Sequence, residues 1–167
     1  MRKSAPRMGV LALAAILLFN TSSTTAASEL EYLGESPGNT RPSSDSIAYV
    51  HTAERNEAEN FLSITWSIKN QGDRSISISW AANPYYTYSG PYYSGVTISD
   101  SASNRFHPVM DGTGACLCAG NTSSDFRGRV RENEQIYYWS LYSVPADVDT
   151  VTVEIPGFEP IEDIPIS

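Results

Sequence analysis

The sequence predicts an all-β chain, an antiparallel β-sandwich of about seven strands preceded by a signal peptide. Three observations carry that expectation. First, Leu62, Ile64, Trp66 and Ile68 alternate with Ser63, Thr65 and Ser67, and Ile76, Ile78 and Trp80 alternate with Ser75, Ser77 and Ser79. A period of two with β-branched and aromatic side chains on one phase marks strands with one dry and one wet face. Seven large apolar side chains on one face need a second sheet to cover them. Second, turn signals recur at intervals of about ten residues, the rhythm of a sandwich. Third, no helical period follows the N-terminal segment.

The elements follow in order. Arg2, Lys3 and Arg7 form a basic n-region, Met8 to Phe19 is apolar, and Thr24 to Ala27 offers small residues for cleavage. That is the pattern of a secretory signal, too short to span a bilayer, so residues 1–27 are expected to be removed. Residues 28–44 are small, polar and punctuated by Pro and Gly, and read as a disordered linker. Residues 45–167 are the expected sandwich domain. Ser46 to Glu54 can extend as a first strand, and Asn60 to Asn70 and Ser75 to Trp80 are the alternating strands, with the turn residues Asn70 to Asp73 between them. Val96 to Asp100 and Arg105 to Met110 are short strands, the latter interrupted by Pro108. Gln135 to Val144 is a long aromatic strand whose inward set is Ile136, Tyr138, Ser140 and Tyr142, or the opposite register. Thr150 to Ile155 is the last strand, and the proline-bearing tail from Pro156 is expected to lie extended against the body.

Export removes three of the eleven basic residues and none of the nineteen acidic ones, leaving eight cations against nineteen anions, a formal charge of −11. Such a polyanion repels nucleic acid and acidic lipid, so neither is expected as a partner. No second apolar segment follows, so no membrane span is expected after cleavage. The remaining 140 of 167 residues make one domain with a sizeable core. The chain is expected to be secreted or associated with the cell envelope.

Several segments resemble a known group. These are Lys69 to Asp73, Ser94 to Asp100, Arg105 to Gly112, Cys116-Leu117-Cys118, and Ala146 to Phe158 with Asp163 to Ile166. In that order they resemble uncharacterised exported actinobacterial proteins with an immunoglobulin-like sandwich, of the DUF4352-like and immunoprotective-extracellular type. The resemblance covers about residues 45–167 and implies an immunoglobulin-like fold and an extracellular location. It brings no assigned chemistry. Glu132-Asn133-Glu134 stands where that group has Pro-Gly before the late strand.

Two constellations could carry function. Cys116 and Cys118 flank one residue among Gly112, Gly114 and Gly120, and exported thiols meet an oxidising environment, so a local disulfide is the first expectation. Its three-residue loop is worth only about 1.6 kcal/mol of chain entropy. A redox-active dithiol stays open, as does a copper or zinc site that adds His107 and Asp111 to the two thiolates. The second constellation is the loop holding Tyr85, Tyr86, Tyr88, Tyr92 and Tyr93, broken by Pro84, Gly90 and Pro91. Tyrosines on loops at the end of a sandwich give large contact area at low entropic cost, which suits a protein partner or a cell-wall polymer. No nucleophile elbow, zincin helix, phosphate loop or calcium loop is present, and no pair of acids stands out for glycoside hydrolysis. The sequence thus points to a non-catalytic interaction module without a cofactor.

Overall fold

The alternation around Trp66 becomes the centre of a sandwich. The computed structural model describes residues 31–58, 60–81, 88, 93–120 and 128–167. Among these, ten strands form: β1 (Gly34–Pro37), β2 (Ser46–Arg55), β3 (Leu62–Asn70), β4 (Ile76–Ser77), β5 (Thr97–Ser99), β6 (Arg105–Phe106), β7 (Arg129–Val130), β8 (Gln135–Tyr142), β9 (Thr150–Glu154) and β10 (Ile161–Pro165). They make a sheet of order β1-β2-β3-β8, a sheet of order β10-β9-β5-β6 and a small β4-β7 ribbon, and every strand pairing is antiparallel. The all-β sandwich is as the alternation predicts. Its strand order is not that of a constant-type immunoglobulin domain, where the second and third strands lie in opposite sheets: here β2 and β3 are neighbours.

The inner faces of both sheets meet in one core. Leu62, Ile64, Trp66 and Ile68 of β3 are fully buried, as are Ala48 and Val50 of β2 and Ile98 and Val153 of the opposite sheet. Trp66 donates its indole N–H to Ser140 Oγ at 3.2 Å, which satisfies its one polar atom inside the core. Tyr138 lies 4.5 Å from Trp66, centroid to centroid, and Tyr93 meets Tyr138 edge-on at 5.1 Å. The first of the two registers open for β8 is the one adopted: Tyr138, Ser140 and Tyr142 face inward, with Ile136 half-buried. Tyr137 and Trp139 therefore face solvent.

Three expectations change. The segment 28–44 is not a linker throughout, because Gly34–Pro37 adds an edge strand to β2. Its composition hides this: backbone hydrogen bonds and close approach hold it, not an apolar period. A Cβ on Gly34 would lie 2.6 Å from Ile161 Cγ2, so only glycine lets β1 come this near the other sheet. Ser75 to Trp80 is a strand only at Ile76–Ser77, followed by one turn of 3-10 helix at Ser79–Ala81. It pairs with β7 instead of β3. The tail is more than extended, since β10 pairs with β9 across a bulge between Ile161 and Ile164.

Strand β2 carries a bulge of its own. Val50 pairs with Trp66 and Thr52 pairs with Thr65, leaving His51 as the extra residue. Even-numbered residues face the core before it, and Ala53 faces the core after it.

Candidate functional site

Alternation sends one phase of each strand to the outer face of the β1-β2-β3-β8 sheet. Register then sets the neighbours: Tyr49 pairs with Ser67, and Ser67 with Tyr137. One step along, Thr52 pairs with Thr65, and Thr65 with Trp139. In the other direction Ile47 pairs with Lys69, and Lys69 with Gln135. The result is a row of rings running across the strands. Tyr32 meets Tyr49 edge-on at 5.1 Å, Tyr49 and His51 are nearly parallel at 6.1 Å, and His51 lies 4.9 Å from Tyr137. Tyr32 is 49% exposed, Tyr137 42% and Trp139 38%, whereas His51 is only 5% exposed. Large aromatic surface left in water on one sheet face is the feature that calls for a function.

The polar floor beneath the rings is fixed. Gln135 donates from Nε2 to Ser67 Oγ at 2.9 Å, and Ser67 Oγ lies 2.8 Å from His51 Nε2. The Glu31 carbonyl can only accept, so Nδ1 carries the proton it receives at 3.3 Å, and in that tautomer Nε2 accepts from the Ser67 hydroxyl. Ser67 and His51 stand at the distance of a nucleophile and its base. Ser67 is, however, fully buried, so no substrate carbonyl can reach its oxygen. The chain of bonds orients rings instead.

The β8 edge of this sheet is closed. Residues 108–118 form a hairpin in which Met110 bridges to Cys116. Asp111 caps its tip, with Oδ1 accepting from the amides of Thr113 and Ala115 and from the Thr113 hydroxyl. Those hydrogen bonds, the Thr113 hydroxyl first, hold the Asp111 carboxyl below its ordinary value. The hairpin docks on β8: Val109 donates to Leu141, Leu141 to Leu117, and Ala119 to Trp139, all through backbone at 2.7 to 3.0 Å.

Cys116 and Cys118 are joined as a disulfide within this hairpin, and both are fully buried, with Tyr88 and Ala115 packed on them. With the sulfurs bonded to each other, a site of Cys116, Cys118 and His107 has no thiolates to offer a metal. Among the described residues no group of three or more His, Cys, Asp or Glu is placed to hold one.

The tyrosine loop divides. Tyr85, Tyr86 and Tyr92 lie outside the described residues. Tyr93 is buried and Tyr88 partly so. Tyr88 donates its hydroxyl to the carbonyl of Pro108 at 2.6 Å, and Tyr93 is buried against Trp66 and Tyr138. Burial pushes the Tyr93 hydroxyl up to about 12 and raises Tyr142 as well.

Sequence reasoning missed the ring row. Tyr137 and Trp139 on the phase opposite Tyr138 were a legible signal once a register was chosen. Tyr32, Tyr49 and His51 were not, since their adjacency depends on strand order and on the bulge.

Among the described residues no helix is long and apolar enough to cross a membrane. No family model matches the chain, and no curated protein matches it. A solved structure of a conserved hypothetical protein from Bacillus anthracis is similar to it at 13% identity and a TM-score of 0.41, over 78% of this chain and 95% of the other.

Proposed function

We propose that this chain is an exported, non-catalytic binding module that holds a cell-envelope polysaccharide against the outer face of the β1-β2-β3-β8 sheet. The observation that carries the reading is the ring row Tyr32, Tyr49, His51 and Tyr137 with Trp139 beside it, flanked by the partly exposed polar side chains Thr65, Lys69 and Gln135. A sugar ring presents an apolar C–H face and a rim of hydroxyls, which suits aromatic faces interleaved with hydrogen-bonding side chains. A peptide joining the sheet as a new strand needs a free edge. The hairpin of residues 108–118 takes the β8 edge, so no strand can be added there.

The test is retention on purified cell-wall polysaccharide. Tyr137→Ala with Trp139→Ala should weaken retention at least about tenfold while leaving the fold intact, because exposed positions cost little stability. Tyr86→Ser with Tyr92→Ser should leave it unchanged. Retention that survives the first pair and fails with the second would move the contact to the loop. No retention of the unaltered protein on any glycan would reject the polysaccharide.

A further inference from the structure

We infer that the solvent face of the β4-β7 ribbon is a second binding site, built for oxyanions (phosphate, sulfate or carboxylate groups). The inference is independent of the aromatic face. Ile76 pairs with Val130 and Ser77 with Arg129, which sends Ile76 and Val130 to the core side. Ser75, Ser77, Arg129 and Arg131 take the other phase and line one open cleft with Gly128 and Glu134.

These arginines differ from Arg55 and Arg105. Arg55 spends its guanidinium on the carbonyls of Val144, Pro145 and Val148, and Arg105 is 2.8 Å from Glu154. Arg129 and Arg131 make no ion pair among the described residues, and both are exposed or nearly so. Glu134, the acid of the cleft, accepts with its Oε2 from the Arg131 amide at 2.7 Å. Arg129 opens β7 and Arg131 directly follows it, so in extended chain their Cα atoms stand about 6.8 Å apart, with two serines lining the same cleft. Guanidinium forks bind oxyanions through paired charge-assisted hydrogen bonds.

The acidity of the whole chain does not forbid this. At physiological salt charges are screened over about 8 Å, so a bound anion feels the cleft more than the distant carboxylates.

The experiment titrates the full chain with inorganic phosphate, polyphosphate and polyglutamate at low and physiological salt. Binding of at least one probe is expected, weakening as salt rises. Arg129→Gln with Arg131→Gln should lose about tenfold or more, while Tyr137→Ala with Trp139→Ala should bind as before. Inorganic phosphate alone would define a free-anion site, and either polymer would define a site for chain-borne phosphate or carboxylate; each supports the inference. Failure of all three probes at low salt would overturn it, as would unchanged binding in the arginine variant or an equal loss in the aromatic one.

Discussion

Asn70 shows how much a single buried side chain can tie together. Its Nδ2 faces the carbonyls of Arg74, Val130 and Arg131 at 2.7 to 3.2 Å, and its Oδ1 accepts from the Gly72 amide at 3.0 Å. The turn after β3 and the strand β7 thus hang on one amide group. Tyr93 makes a different point, and a testable one. Burial favours its neutral form, raising its pKa from 10.0 to about 12. A raised folded-state value means that the stabilisation is complete below pH 10 and is lost as pH climbs through about 12. Urea midpoints between those limits should fall less steeply for Tyr93→Phe than for the unaltered chain; parallel curves would mean that the ring is not enclosed. The sequence could not separate Tyr93 from its loop neighbours. Its place depends on Trp66 and Tyr138, which come from two other parts of the chain.

Elements were legible where their own side chains declare a face. Strand β3 is written in four apolar residues spaced two apart, and β8 in Tyr138 and Tyr142 on the phase opposite Tyr137 and Trp139. Strand β1 was not legible, because Gly34-Glu35-Ser36-Pro37 earns its place through main-chain bonds to β2 and through the absence of a side chain at Gly34. The hairpin of residues 108–118 was half legible: the cysteine pair was evident, its docking on β8 was not. A three-residue loop adds only about 1.6 kcal/mol of closure entropy. Cys116→Ala with Cys118→Ala should therefore cost about 1 to 2 kcal/mol in denaturant unfolding, with faster amide exchange concentrated at Leu141 and Ala119. A loss above about 4 kcal/mol would show the crosslink holding far more than its own hairpin.

At the scale of the whole molecule, residues 34–43 fasten the two sheets to each other. Strand β1 belongs to one sheet, yet Pro37 accepts from the Glu159 amide and Asn39 donates to Gly157, beside the other. Ser43 adds a hydroxyl bond to the same Gly157 carbonyl. Starting the chain at Asp45 removes all of these. The expected loss is a few kcal/mol, or about 10 °C in Tm; an unchanged melting curve would show the sandwich closing without its arm. Fold class thus followed from alternation alone, whereas the arm and the ring row needed pairings between distant segments. The bulge at His51 has one more consequence. Excising that imidazole would leave Val50 opposite Trp66 and Thr52 opposite Thr65, with the in-and-out rhythm unbroken. Scaffold and surface are therefore separable in this strand, and the outer layer can drift by substitution without renegotiating the interior.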